Sequence, residues 1–204
     1  MPGKQEGLSI GITGGIGSGK TLISRIFRNL GIAVYYSDER ARHLINHNEM
    51  LSGQIKEMFG PESFLDGKLN REFLASEVFN QKEKLDQLNQ LVHPAVQQDF
   101  REWKKLHADD PYCMKEAALL FETGSYRELD KTILVLAPEH LRIQRILLRD
   151  PHRSTADVKK IMASQMSDEE KKKLADYIID NDDSRLVIPQ ALKIHRLLTG
   201  NNLS

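Results

Sequence analysis

The sequence predicts an α/β fold on a parallel sheet, and three observations carry that prediction. A short apolar segment, residues 8–13, runs into a glycine cluster at 14–19. A helix-periodic stretch follows at 20–30, and a second apolar segment, Ile32-Ala33-Val34-Tyr35-Tyr36, follows that. Strand, helix and strand within about 30 residues make a βαβ unit, whose strands run parallel.

Each element has its own signal. Residues 8–13 alternate large apolar and small side chains and predict a buried first strand. In 20–30, Leu22, Ile23, Ile26, Phe27 and Leu30 share helical spacing, and Gly31 is placed to end that helix in a left-handed conformation. Residues 32–36 predict the second strand, and Ser37-Asp38 leads into a helix through Arg40, Ala41 and Leu44. From 49 to 107 no strand is predicted. Leu85, Leu88, Leu91 and Val92, then Val96, Phe100, Trp103 and Leu106, recur at helical spacing on either side of an expected bend at Pro94. This stretch is expected to be a mostly helical subdomain, residues 49–107, inserted into a single domain spanning 8–204. Strands resume at 112–120 and 131–137. Pro138 opens a helix carrying Ile143, Ile146 and Leu147, which 149–153 break, and another helix is expected over 155–166. The run Asp168-Glu169-Glu170-Lys171-Lys172-Lys173 predicts a solvated helix face with acids preceding bases. A short strand at 177–179 and a helix over 184–198 close the series. Neither an internal repeat nor a low-complexity linker is present.

Composition narrows the function classes. The 204 residues carry 29 Lys plus Arg against 29 Asp plus Glu, a balance that argues against general nucleic-acid binding. With 40% apolar and 28% charged residues, the chain is an ordinary globular one. Cys113 is the single cysteine, so there is no disulfide within the chain and no four-cysteine zinc site; a buried strand position without redox duty is expected for it. No apolar run approaches the roughly 18 residues of a membrane span, and the first seven residues lack an apolar signal core. The expectation is a cytoplasmic protein with no nucleic-acid and no membrane partner. The oligomeric state is left open, and a monomer is allowed.

The segment Gly14-Gly15-Ile16-Gly17-Ser18-Gly19-Lys20-Thr21 fits the phosphate-binding pattern G-x-x-x-x-G-K-[ST]. Glycines let the backbone turn so that successive N–H groups face phosphate oxygens. The following helix adds its positive end, Lys20 a mobile charge, and the Thr21 hydroxyl a ligand for Mg²⁺. A chance match in a chain this long is on the order of one in a hundred, and here a strand precedes and a helix follows, as the motif requires. Gly15, Gly17, Ser18, Gly19, Lys20, Thr21 and Leu22 are the expected nucleotide-binding residues. The motif indicates a nucleoside triphosphate without naming the reaction. GTPase switches would carry N-K-x-D and D-x-x-G, and neither occurs. Motors are usually longer and more basic, which leaves small kinases ahead.

Several segments together resemble the dephospho-coenzyme A kinase family over nearly the whole chain. The opening Ile12-Thr13-Gly14-Gly15-Ile16-Gly17-Ser18-Gly19-Lys20 is similar to the family's almost letter for letter. Ser37-Asp38 with Ala41-Arg42, Phe59-Gly60 with 65–71, His93-Pro94, and Leu119-Leu120-Phe121-Glu122 follow in the family's order. So do Gln144-Arg145, Arg149-Asp150, Gln165 and Ala175-Asp176. The resemblance implies an α/β P-loop kinase fold of three layers, with a central parallel sheet, a helical substrate-domain insertion and a lid, here residues 145–170. It implies ATP-dependent phosphorylation of the ribose 3′-hydroxyl of dephospho-coenzyme A, giving coenzyme A and ADP in the last step of coenzyme A biosynthesis, with Mg²⁺. A nucleoside or nucleotide monophosphate kinase, or a non-catalytic ATP-binding module, are the alternatives. Three positions depart from the family's habit. Thr21-Leu22 replaces Ser-Thr, Tyr36-Ser37-Asp38 keeps only the second acid of Asp-x-Asp, and Glu116-Ala117-Ala118 replaces Asp-Val-Pro.

Candidate roles follow. Asp38 lies just past the carboxyl end of a predicted parallel strand, where open α/β sheets place ligands; it serves either as general base or as a helix N-cap. Lys20 neutralises charge on the moving phosphoryl group. Arg149, ahead of Arg145 and Arg153, closes the lid over the phosphates or complements the end of its helix. Glu116 is placed to hold Mg²⁺ together with Thr21. Glu122, Arg71 and His93 are expected at the substrate or in structural contacts. His43 and His47, four apart without a third ligand, read as exposed helix residues.

Overall fold

A computed structural model describes residues 7–78 and 81–200. The elements run β1 (Leu8–Thr13), α1 (Lys20–Asn29), β2 (Val34–Tyr36), α2 (Ser37–His47), α3 (Glu49–Phe59), β3 (Phe64–Leu65), β4 (Lys68–Leu69), α4 (Arg71–Val78) and α5 (Lys82–Leu106). They continue with β5 (Tyr112–Glu116), β6 (Lys131–Leu136), α6 (Glu139–Arg149), α7 (Thr155–Ala163), α8 (Asp168–Leu174), β7 (Tyr177–Asp180) and α9 (Val187–Thr199). The chain divides into two compact units. One takes in the described residues up to Tyr36 and from Leu106 onward, and the other is Ser37–Lys105.

The first unit is built on a five-stranded sheet in the order β2-β5-β1-β6-β7, with every pairing parallel. A parallel sheet must be covered on both faces, and β1 at its centre is buried from Ser9 to Thr13. On one face Ile10, Ile12, Tyr112, Met114, Ile133, Val135 and Ile179 meet Ile23 and Phe27 of α1 and Ala191, Ile194 and Leu198 of α9. On the other, the chain after β5 presses close. A Cβ on Gly11 would come within 2.6 Å of Leu120 and 2.7 Å of Leu129. The sheet is thus the middle of three layers, as the α/β prediction requires.

Differences from the sequence expectation have local causes. The strand expected over 112–120 ends at Glu116. Ala117 still donates to Ile12 O at 3.1 Å, but Leu120 and Phe121 bury themselves from turns, where Thr123 donates to Leu119 O at 3.0 Å. The final helix starts at Val187 rather than 184, because Ser184 is held in a turn by its N–H bond to Asp182 Oδ1 at 3.0 Å.

The second unit is helical except for a hairpin, β3–β4, that the sequence reading did not anticipate. Asp66 and Gly67 turn it, both left-handed with φ of 49° and 76°, as a two-residue hairpin loop of this kind demands. Pro94 does not end the helix: α5 runs from Lys82 to Leu106 with the proline inside it. Proline removes the bond to the carbonyl four residues earlier. Here both Pro94 and Gln90 are exposed, so water can take that carbonyl. Bidentate pairing of Arg40 with Asp99, at 2.6 and 2.9 Å, ties α2 to α5. Leu69 donates to Asn46 Oδ1 at 2.8 Å and ties β4 to α2. The unit therefore includes α2, whereas the sequence placed the start of the inserted subdomain at residue 49.

Candidate active site

The loop 14–19 lies between the carboxyl end of β1 and the start of α1. Its glycines are needed for two reasons. Gly17 and Gly19 have φ of 79° and 92°, the left-handed region that favours glycine. Gly14 and Gly15 lack room: a Cβ would strike Ser18 Oγ and Val135 O at the first, and the Arg142 guanidinium at the second. The resulting turn delivers the chain to α1 with no side-chain cap at Gly19 and no acid in the first turn. The first N–H groups of a helix have no partners within it, and the helix dipole is positive there. An uncapped helix start behind a glycine turn is a receptor for phosphate oxygens.

Lys20, the first residue of α1, reaches across to β5. Its Nζ lies 3.7 Å from Glu116 Oε1, with side-chain exposures of 17% and 5%. Glu116 ends β5, opposite Ile12 of β1 and Tyr36 of β2. Thr21 is exposed beside Lys20, and Leu22 is 53% exposed. The Glu116 carboxylate and Thr21 hydroxyl are hard oxygen donors, which suits Mg²⁺. That ion keeps several waters and takes one or two protein groups beside substrate phosphates. Among the described residues no cluster of three His, Cys, Asp or Glu could cage a metal. The donor set therefore fits an ion shared with phosphates.

Three distant side chains brace the loop. Arg142 of α6, 7% exposed, donates from Nε to Ile16 O at 2.9 Å and from Nη1 to Asp168 Oδ2 at 3.1 Å. Gln165 Oε1 accepts from Ile16 N–H at 2.9 Å. Asn181, just past β7, donates from Nδ2 to Ser18 O at 2.8 Å. Arg145 supports Asn181 in turn, donating from Nη2 to Asn181 O at 3.0 Å and to Asp183 at 2.8 Å. The buried Arg145 Nη1 has no hydrogen-bond partner among the described residues.

A family model described as dephospho-CoA kinase matches residues 8–186. A dephospho-CoA kinase of Bacteroides fragilis is 37% identical over 207 residues, covering 96% of this chain and 98% of its own. The chain belongs to the dephospho-CoA kinase family. Another family member, from Salinibacter ruber, is 39% identical over 85% of this chain and 88% of its own. Among solved structures, a Thermus thermophilus protein superposes with a TM-score of 0.83 at 33% identity, covering 98% of this chain and all of that one. A dephospho-CoA kinase of Campylobacter jejuni gives 0.70 at 28% identity, covering 96% and 98%.

The family's expected site residues fall into two groups here. Gly15, Gly17, Ser18, Gly19, Lys20, Thr21 and Leu22 form one continuous loop and helix start, and Lys20 meets Glu116. Asp38, the second residue of α2, is exposed in the second unit. So are Arg71, which begins α4, and His93 of α5. Arg149, 65% exposed at the end of α6, is paired with Asp150 at 2.9 Å, and its hydrogen bond holds the Asp150 carboxyl below its ordinary range. Glu122 is engaged structurally. Its Oε1 accepts from Met166 N–H at 3.1 Å and pairs with Lys171 Nζ at 2.9 Å. Lys171 is wholly buried, so the run 168–173 is not a uniformly solvated face. The opposite oxygen, Glu122 Oε2, is buried with no hydrogen-bond partner among the described residues.

Sequence reasoning gave no role to Arg142 or Asn181, and named Gln165 only as part of the family resemblance in the lid segment. One signal was available for Arg142. It stands four residues before the buried Ile146, on the buried stripe of α6, and arginine is almost never buried unless paired. Asn181 offered no local signal, since its contact spans 163 residues.

Proposed function

We propose that this chain transfers the γ-phosphoryl group of ATP to the ribose 3′-hydroxyl of dephospho-CoA, giving CoA and ADP, the last step of CoA synthesis. The observation that carries this is the uncapped start of α1, with Lys20 held 3.7 Å from the buried Glu116 carboxylate. That arrangement receives a triphosphate tail and neutralises charge on the group in flight. Phosphoryl transfer has a loose transition state, so positioning and electrostatics supply most of the acceleration.

The roles divide as follows. Backbone N–H groups of the glycine loop and the first turn of α1 hold the β- and γ-phosphates, and Lys20 places its charge on them. Glu116 and Thr21 would hold Mg²⁺, which when bound would supply charge neutralisation at the phosphates. Asp38 accepts the proton of the 3′-hydroxyl as that oxygen bonds to phosphorus and the bond from phosphorus to the bridging oxygen breaks, with ADP as leaving group. Asp38 follows the carboxyl end of β2 by two residues, the end of a parallel strand at which α/β proteins bind ligands. Arg71 and His93 contact the acceptor. Arg149 exchanges Asp150 for phosphate oxygens, and Glu122 orders the segment around Met166.

The test is a panel of acceptors offered with ATP and Mg²⁺, with ADP release measured and products identified by mass. Dephospho-CoA should be strongly preferred and should gain one phosphoryl group. A preference for adenosine or AMP, or ATP binding with transfer to no acceptor, would overturn the proposal.

A further inference from the structure

Both backbone polar groups of Ile16 are held by side chains that come more than 120 residues later in the chain. Arg142 Nε donates to Ile16 O across a separation of 126 residues, and Gln165 Oε1 accepts from Ile16 N–H across 149. Arg142 is itself fixed, because its Nη1 lies 3.1 and 3.4 Å from the two Asp168 oxygens and its side chain is 8% exposed. The guanidinium also fills the space beside Gly15 that a Cβ would need.

We propose that Arg142 and Gln165 are positioning residues for ATP, acting through the two peptides that flank Ile16. A trans peptide points its C=O and N–H in opposite directions. Holding Ile16 O against Arg142 therefore turns the Gly17 N–H away from the guanidinium. Holding Ile16 N–H against Gln165 turns Gly15 C=O the other way, where it accepts from Ser18 N–H at 3.0 Å. Glycine-flanked peptides have little steric preference between these orientations and their flipped counterparts. A flip would present a carbonyl oxygen where an N–H is needed, and carbonyls repel phosphate. The two side chains remove that alternative before nucleotide arrives. They also attach the loop to two places in the chain, α6 through Arg142 and the residues just after α7 through Gln165.

This inference rests on the ATP-binding role proposed above, and its test separates the two. ATP binding is measured by calorimetry and steady-state KM values for both substrates are determined, for wild type, Gln165→Met, Arg142→Lys, Arg142→Met and the Arg142→Met/Gln165→Met double variant. Gln165→Met should weaken ATP binding up to about tenfold, the scale of one lost hydrogen bond, with the KM for dephospho-CoA unchanged. Arg142→Met should lose at least as much, and Arg142→Lys, which keeps a cationic donor, should recover part of it. Because both residues act on the same backbone segment, the double variant should lose less than the product of the single losses. Gln165 is only half-buried, so Gln165→Met keeps the test open even if Arg142→Met fails to fold. Unchanged ATP affinity in Gln165→Met, a parallel loss for both substrates, or fully additive effects would each overturn the inference. Wild type that binds no ATP would instead defeat the proposed function.

Discussion

The two units hold their chemical groups in opposite ways. In the first, Glu116 and Arg142 are sunk, 4% and 7% exposed, and the glycine loop is braced by Arg142, Gln165 and Asn181, while Thr21 and Arg149 stay exposed. In the second, Asp38, Arg71 and His93 are all exposed on helices. The contrast teaches where preorganisation is placed. Donors aimed at a phosphoryl group help most when they need no reorganisation as charge moves. The unit carrying the glycine loop is therefore built to shape, while the residues proposed to meet the acceptor stand exposed on helices of a unit with its own small core.

If that contrast is right, the largest loss comes from the braced unit. Lys20→Ala should lower kcat/KM by about 10²–10³, the scale of one preorganised charge contact, with a raised KM for ATP. A change of only a few-fold would erase the distinction between the units. Next is the pair that the wholly buried Lys171 makes with Glu122. Lys171→Met should destabilise the fold by about 1–3 kcal/mol, because Glu122, whose side chain is only 17% exposed, loses its partner. Thermal melting checks this, and adding Glu122→Gln should restore much of the loss. Smaller effects belong to the exposed set. Arg71→Ala and His93→Ala should each raise the KM for dephospho-CoA about tenfold with little change in melting temperature or in the KM for ATP, since exposed substitutions rarely move stability by more than about 0.5 kcal/mol. If either instead lowered the melting temperature sharply, that residue would belong with the braced group.

The smallest effect is a pH dependence in the first unit. His195 Nδ1 lies 2.7 Å from the hydroxyl of the buried Tyr112, and burial pushes the imidazole pKa below 6.5. The unfolded chain then binds that proton more readily than the folded one, so stability falls as pH drops through and below 6.5. The melting temperature should decline over that window, and His195→Gln should flatten the slope.

Much of the braced unit was legible in the sequence because its central part is local. Residues 8–36 carry a strand, a glycine turn, a helix and a strand in immediate succession, and the turn's chemistry depends on neighbouring backbone groups. Glu116 was legible as an acid in an apolar-leaning strand, although that strand ends at it rather than running on to 120. What holds the loop was not, since Arg142 and Asn181 reach it across 126 and 163 residues, and side-chain spacing is silent at that range. Lys171 was hidden for the same reason: within a run of charges, only its distant partner Glu122 distinguishes it from Lys172 and Lys173. The β3–β4 hairpin had a local signal, Asp66-Gly67, but its strands are only two residues each, too short to show an alternating pattern. Pro94 stands inside a continuous helix, because the carbonyl it frees, that of Gln90, is on an exposed residue and can face water.

The proposed function depends on a nucleotide bound at the glycine loop and a proton accepted by Asp38. Single-turnover phosphoryl transfer by Asp38→Asn, with ATP affinity measured on the same protein, tests this most directly. The transfer rate should fall by about 10²–10⁴, the usual contribution of a general base, while ATP binds as in wild type. Transfer within a few-fold of wild type would contradict the account, and would leave Asp38 as no more than the first-turn acid of α2.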